Sequence, residues 1–170
     1  MTVIEAIRKR YSCRAYQQRP IEQEKLDQIL EAARLAPSAK NLQDWRFVVV
    51  TDKEKKSQVA ETTNRPKVFE KAGAIIAACS NSNEVMRCGQ PAGPIDVAIA
   101  LEHIALQATE LGLATCWIGS FEPEKVRAIL GIPDDIAVIE LMALGYPAEG
   151  KRESNRELTK KIVCYDKWRF

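Results

Sequence analysis

The sequence predicts a single domain, residues 1–170, that mixes strands with helices. Three observations lead there. Four apolar runs of strand length, RFVVVT, AGAIIAACS, ATCWIGS and AVIELMALGYP, punctuate the chain. Segments of helical period fill the intervals between them. No linker-like or repeated stretch divides the whole, and a chain of this length can bury one substantial core. The 46% apolar and 28% charged content is that of an ordinary globular protein, not of a disordered or fibrous one.

VIEAIRKR reads as a short helix with Val3, Ile4 and Ile7 on one face. EKLDQILEAARLA is strongly amphipathic: Leu26, Ile29, Leu30, Ala33 and Leu35 recur near the helical period, and Pro37 stops the run. PSAKNLQDW is a polar loop, with Trp45 expected in the core beneath it. RFVVVT forms the first strand, KEKKSQVAET a surface helix and AGAIIAACS a second, buried strand. SNSNEVMRCGQPAGP, residues 80–94, is the least regular stretch.

A long helix is expected from about Ile95 to Leu111, with Gly112 as its stop. Ile95, Val97, Ile99, Leu101, Ile104, Leu106 and Leu111 cannot all face one side of it. Such a helix is buried in a large core or in a subunit interface, and at this chain length an obligate dimer is the favoured expectation. His103, inside this helix, reads as a hydrogen-bonded core histidine. ATCWIGS is the third strand. EPEKVRAILGIP is a helix opening near Pro123 and closing at Gly131. AVIELMALGYP is the fourth strand, and ELTKKIV in the basic tail has a short helical pattern.

Charge excludes some functions and raises a question. A net charge of +2 argues against a general nucleic-acid-binding surface. Residues 1–19 nevertheless carry five Lys/Arg against one acid, and residues 150–170 carry seven against three. Each end is therefore +4 and the middle −6. By charge alone, solvated frayed termini are the plainer explanation, and two basic ends gathered about one anion the sharper one. No stretch reaches the roughly 18 apolar residues of a membrane span, and no signal-like run opens the chain. The five cysteines, Cys13, Cys79, Cys88, Cys116 and Cys164, form no C-x-x-C pair and lie mostly among apolar neighbours. They read as reduced thiols of a cytoplasmic protein. One histidine leaves no multi-histidine metal site.

No GxGxxG follows a strand and no GxxxxGK[ST] occurs, so a bound phosphate would be held by side chains. Four segments then speak together: RKRYSCRAY at 8–16, APSAKNLQDW at 36–45, ELGLATCWIGSF at 110–121 and LGYPAEGKRESNR at 144–156. In this order they resemble the FMN-dependent nitroreductase family along nearly the whole chain. The resemblance implies an α+β fold of three layers, α/β/α. Its central, mostly antiparallel sheet is flanked by helices, in a homodimer with a long buried helix and FMN at the subunit interface.

Carried over, Arg10, Ser12 and Arg14 would hold the phosphate and ribityl chain of FMN, with Arg156 joining from the tail. Arginine suits a phosphate dianion, because its planar donors stay ionised and bind in pairs. Arg8 and Lys9 have no such role and read as solvated. Tyr11 stands where the family commonly has a basic residue, which puts one contact in question. Pro37, Ser38, Ala39, Asn41 and Gln43 match the loop that reaches the partner subunit's flavin, although Asp44 replaces a frequent proline. Trp117, Ile118 and Gly119 match the strand end under the flavin ring, where the Gly119 N–H is expected to point at N5. Asn64 falls near a polar flavin contact, with a plain loop residue as the alternative.

The resemblance implies an FMN-dependent oxidoreductase that takes hydride from NADH or NADPH and passes it to nitroaromatics, quinones or related acceptors in ping-pong fashion. Two other readings stay open. One is a specialised flavin enzyme on this scaffold, flavin-cleaving, metabolite-oxidising or dehalogenating. The other is a non-enzymatic FMN-binding or sensing protein. Residues 80–94 are the candidate lid, short for the family, over an open site.

Overall fold

The chain was analysed as a computed structural model, which describes every residue except Arg152 and Ser154. Both lie within the fourth motif segment. Four strands form one antiparallel sheet: β1 (Trp45–Val50), β2 (Ala74–Ser80), β3 (Ala114–Ile118) and β4 (Ala137–Gly145), in spatial order β1-β2-β4-β3. Five α-helices accompany them: α1 (Val3–Lys9), α2 (Gln23–Arg34), α3 (Lys53–Glu61), α4 (Ala92–Glu110) and α5 (Pro123–Leu130). Short 3₁₀ turns occur at Ala39–Asn41, Pro66–Val68 and Thr159–Lys161. The last of these is all that the helical pattern in ELTKKIV yields.

The layers follow from the period of two along the strands. Ile75, Ala77, Cys79, Leu141 and Ala143 point to one face and pack with Val59 of α3 and Val126 of α5. Ile76, Ala78, Met142 and Leu144 point to the other and meet Leu26 and Ile29 of α2 and Val97, Leu101 and Ile104 of α4. The sheet is thus covered on both sides, and β2 is buried along its whole length. That is why AIIAAC is apolar without alternation.

Boundaries and faces differ from expectation in places. Helix α4 opens at Ala92, taking in the Ala-Gly-Pro that the sequence assigns to the irregular stretch. Proline is tolerated there because the first helical turn needs no donor from it. Leu35 is not on the core face of α2; it follows the helix end and is exposed. Strand β1 starts one residue early, at Trp45, which is buried as expected. His103 is half-buried on α4, and its Nδ1 lies 3.1 Å from the Ala32 carbonyl oxygen. Gly112, at φ +76°, follows the α4 terminus.

Helix α4 is two-sided. Val97, Leu101 and Ile104 are buried, whereas Ile95 is exposed and Ile99 and Leu106 are half-buried. Beside it, α1 turns Val3, Ile4 and Ile7 outward. Five free thiols are distributed as Cys13, Cys79 and Cys116 buried, Cys164 half-buried and Cys88 exposed. Among the described residues, no helix is long and apolar enough to cross a membrane.

A polar cluster ties α2, α4 and β4 together at one end. Lys25 Nζ donates to the Tyr146 hydroxyl at 2.8 Å and to the Leu111 carbonyl at 3.3 Å. The Tyr146 hydroxyl donates to Glu22, and Arg19 stacks 3.9 Å above the Tyr146 ring centre. The Tyr146 hydrogen bond, with help from the local backbone and Arg19, pulls the Glu22 carboxyl down to about 2 from its ordinary 4.5. A folded-state pKa below the unfolded one stabilises the fold above pH 4.5, and this contribution is lost as pH falls towards 2. Glu22→Gln should therefore lower stability at neutral pH, with the gap to the parent closing in acid; urea melts across that range check it. Leu101, with no exposed surface, should cost about 2–5 kcal/mol on replacement by alanine, read from the same melts.

Candidate functional site

The segment after α1 is a strap laid along the open edge of the sheet. The Cys13 N–H donates to the Thr115 carbonyl of β3 at 2.9 Å, making a parallel bridge at Ser12. Tyr16 is buried, and its hydroxyl donates to the Cys13 carbonyl at 3.1 Å. The Gln17 N–H donates to the Tyr146 carbonyl at 2.8 Å, and the Ala148 N–H to the Ala15 carbonyl at 2.9 Å. Extended backbone alternates its side chains, so a buried Cys13 leaves Ser12 and Arg14 facing out. The last residue of β4 cannot be bulky either: a Cβ on Gly145 would stand 2.9 Å from the Gly73 nitrogen and 3.0 Å from Tyr16 Cδ1.

The strap and the C-terminal segment enclose a cavity of about 450 Å³. Arg10, Tyr11, Ser12 and Arg14 line it from one side, and Arg156 from the other. The four residues that the resemblance assigns to a phosphate and ribityl chain therefore do come together. Two acids share the wall, Glu149 and Glu153, which sequence reading does not single out. Tyr11 has a structural task here: its hydroxyl donates to the Glu149 carbonyl at 2.6 Å, closing the strap onto the tail. Burial pushes the Tyr11 phenol up to about 12, so it remains a donor at physiological pH. Lys151 adds a second tie, from its ammonium to the Arg8 carbonyl. Arg8 and Lys9 themselves are exposed.

Arg10 is held without being satisfied. Its Nε is buried and makes no hydrogen bond, although Glu102 Oε1 stands 3.4 Å away as an ion partner. Arg156 donates only to the neighbouring Asn155 carbonyl among its described bonds.

A smaller hollow of about 140 Å³ adjoins at Arg14, which lines both. Its other walls are Arg65, Cys116, Trp117, Ile118, Gly119 and Ser120. The strand-end residues expected from CWIGS are all here. Asn64 does not line the hollow, but its Nδ2 donates to Ser120 Oγ at 2.7 Å and its backbone N–H to the Ser120 carbonyl at 3.2 Å. Asn64 thus fixes the turn that carries Ser120. Arg65 and Ser120 escape sequence reading; their only signal is adjacency to Asn64 and Gly119.

Pro37, Ser38, Ala39, Asn41 and Gln43 line neither hollow. They form a tight loop between α2 and β1 in which Lys40, Asn41 and Gln43 have φ of 51°, 57° and 55°. Three left-handed residues without a glycine persist only where surrounding contacts hold them. Ser38 Oγ accepts from the Gln43 N–H at 3.0 Å, and both carboxylate oxygens of Asp96 stand 3.1 Å from the Ala39 N–H. Asp96 is buried on α4, so the loop is pinned to the long helix. Lys40 reaches Glu84 of the 80–94 stretch at 2.7 Å. Removing the pin with Asp96→Ala should cost about 1–3 kcal/mol and speed hydrogen exchange at residues 39–43, whereas Asp96→Asn, which keeps an acceptor, should cost less.

The chain has relatives among known proteins. The Nitroreductase family pattern matches residues 7–66 and 58–146. An FMN-dependent nitroreductase of Clostridium difficile R20291 superposes with a TM-score of 0.85 at 33% identity, covering 97% of this chain and 99% of that one. An NADH dehydrogenase of Thermus thermophilus is 33% identical over 92% of each chain. An FMN reductase [NAD(P)H] of Bacillus subtilis is 27% identical over 96% of this chain and 80% of its own. On sequence and fold, this chain belongs to the nitroreductase family.

Proposed function

We propose that this chain is an FMN-dependent NAD(P)H oxidoreductase, one domain over residues 1–170, acting as a homodimer on small oxidised acceptors such as nitroaromatics and quinones. One observation carries the reading. Arg10, Ser12, Arg14 and Arg156 surround one cavity that continues, through Arg14, into the hollow at Gly119. The donor set fits FMN. The guanidinium groups of Arg10, Arg14 and Arg156 line the same cavity, and a phosphate dianion is the group that such converging planar donors favour. The hollow beyond is walled by Trp117, Ile118 and a residue with no side chain, which suits a flat ring lying close to backbone.

FMN supplies the hydride chemistry, in a ping-pong exchange where NAD(P)H and the acceptor use the same exposed face in turn. The chain's residues bind and orient. Arg10, Arg14 and Arg156 neutralise the phosphate, Ser12 donates beside it, and Tyr11 keeps the tail closed over the strap. The Gly119 N–H is the donor assigned to flavin N5. Asn64 holds Ser120 in place next to it.

The dimer reading draws on two features. The loop from Pro37 to Gln43 faces neither hollow of its own chain, as suits a loop that serves the partner's flavin. Val3, Ile4 and Ile7 of α1 and Ile95 of α4 are exposed apolar side chains, and the tail presents Leu158, Ile162 and Trp168. Residues 80–94, tied to that loop through Glu84 and Lys40, would lie over the substrate. The five unpaired thiols suit a reducing, cytoplasmic setting.

The test is an anaerobic titration of the FMN-loaded protein with NADH and NADPH, following the visible flavin band. Bleaching that reverses when a quinone or nitroaromatic is added is the expected result. A flavin that binds but stays oxidised with both nicotinamides would sink the reductase reading in favour of a binding protein. Arg14→Ala removes a charged donor shared by both hollows and should weaken FMN binding by about 2 kcal/mol, roughly 30-fold, measured by fluorescence titration.

A further inference from the structure

Glu140 stands behind the strand end at Gly119. The β3–β4 ladder pairs Ile118 with Leu141, so its next step sets Gly119 against Glu140. A Cβ built on Gly119 would lie 3.4 Å from Glu140 Oε2 and 3.6 Å from Oε1. The carboxyl therefore lies within van der Waals reach of the glycine, on the side where a side chain would project. Its direction follows from the alternation along β4, in which Glu140 falls in step with Met142 and Leu144; the register with β2 shifts only beyond it, leaving Ile139 unmatched.

The carboxyl is poorly compensated. Oε1 is buried and has no hydrogen-bond partner. Burial pushes the Glu140 carboxyl up, with the backbone amides of Leu141 and Ile118 offsetting only part of it. A glutamine would occupy the same volume without the charge, so packing does not explain a carboxylate here. Its charge is felt in the smaller hollow. At Cys116, in the wall, Arg14 and Arg65 pull the thiol down while Glu140 pushes it up, on top of a larger upward effect of burial. The hollow thus lies between two cations on its open side and one anion behind its strand.

We propose that Glu140 is a positioning residue that sets a negative charge behind Gly119 and so lowers the reduction potential of a flavin ring seated against that strand end. The inference rests on the FMN reading above. A negative charge close to an isoalloxazine opposes the addition of electrons to it. Glu140 touches neither hollow directly and acts through the electrostatics of the strand it backs. The consequence for function is a stronger reductant, suited to acceptors that are hard to reduce.

The test is the midpoint potential of bound FMN, read by dye equilibration at neutral pH in the parent, Glu140→Gln, Glu140→Ala and Glu140→Asp. Both neutral variants should move the potential to more positive values, and the aspartate should restore it towards the parent. The two neutral variants differ in packing but not in charge, so a shift shared by both is electrostatic. An unchanged or more negative potential in a folded, FMN-loaded neutral variant overturns the proposal while leaving the cofactor reading intact. A folded parent that takes up no FMN overturns the cofactor reading and this inference with it.

Discussion

The placement of the strap from Ser12 to Gln17 is the constraint on which the rest of the site depends. Its backbone completes the edge of β3 through Cys13 and Thr115 and then pairs with the turn after β4. The buried Tyr16 ring locks it, with a hydroxyl bonded to Cys13 and a ring lying where a Cβ on Gly145 would go. Once that backbone is fixed, the direction of Ser12 and Arg14 follows from simple alternation. The sheet edge thereby supplies the rigidity, and the arginines inherit it. Loops on a well-packed scaffold can hold charged groups in this way without ordering each side chain separately.

Charge is distributed along the same axis. Three arginines converge on the larger cavity, where two glutamates in the wall and the Glu102 ion pair moderate their mutual repulsion. The cations outnumber the acids in that wall, so the cluster keeps a positive balance for an anion. Further along, Arg14 and Arg65 face the smaller hollow while Glu140 backs it. A ligand lying across both would have its anionic end among cations and its other end in a graded field. Preorganised charge of this type needs no rearrangement when electrons move.

Much of this was legible in the sequence, for identifiable reasons. Apolar runs of strand length and period-3.6 patterns located the four strands and five helices seen among the described residues, because each element buries one or two faces against the core. The motif segments brought Arg10, Ser12, Arg14 and Arg156 to one cavity, although 142 positions of sequence separate Arg14 from Arg156. Other features were not legible. Leu35 fits the apolar stripe of α2 but lies beyond the last helical turn, and a stripe does not reveal where capping begins. Glu140 sits in an apolar run, and nothing in that run shows that Gly119 of another strand lies opposite it. Asp96 looks like a helix-surface acid, and its partner at Ala39 is 57 residues away. Register shifts and long-range side-chain-to-backbone bonds leave no periodic trace.

The distribution of thiols has a practical side. Cys88 is exposed and sits in the 80–94 stretch, one hydrogen-bonded turn from Glu84 and its tie to Lys40. Cys79 and Cys116 are buried, with burial lifting the former to about 11 and the latter in the same direction, so neither offers much thiolate near neutral pH. An alkylating fluorophore or spin label supplied briefly would therefore mark Cys88 ahead of the core thiols. The wild-type chain carries its own reporter on the 80–94 segment, and motion there can be followed without engineering a cysteine into it.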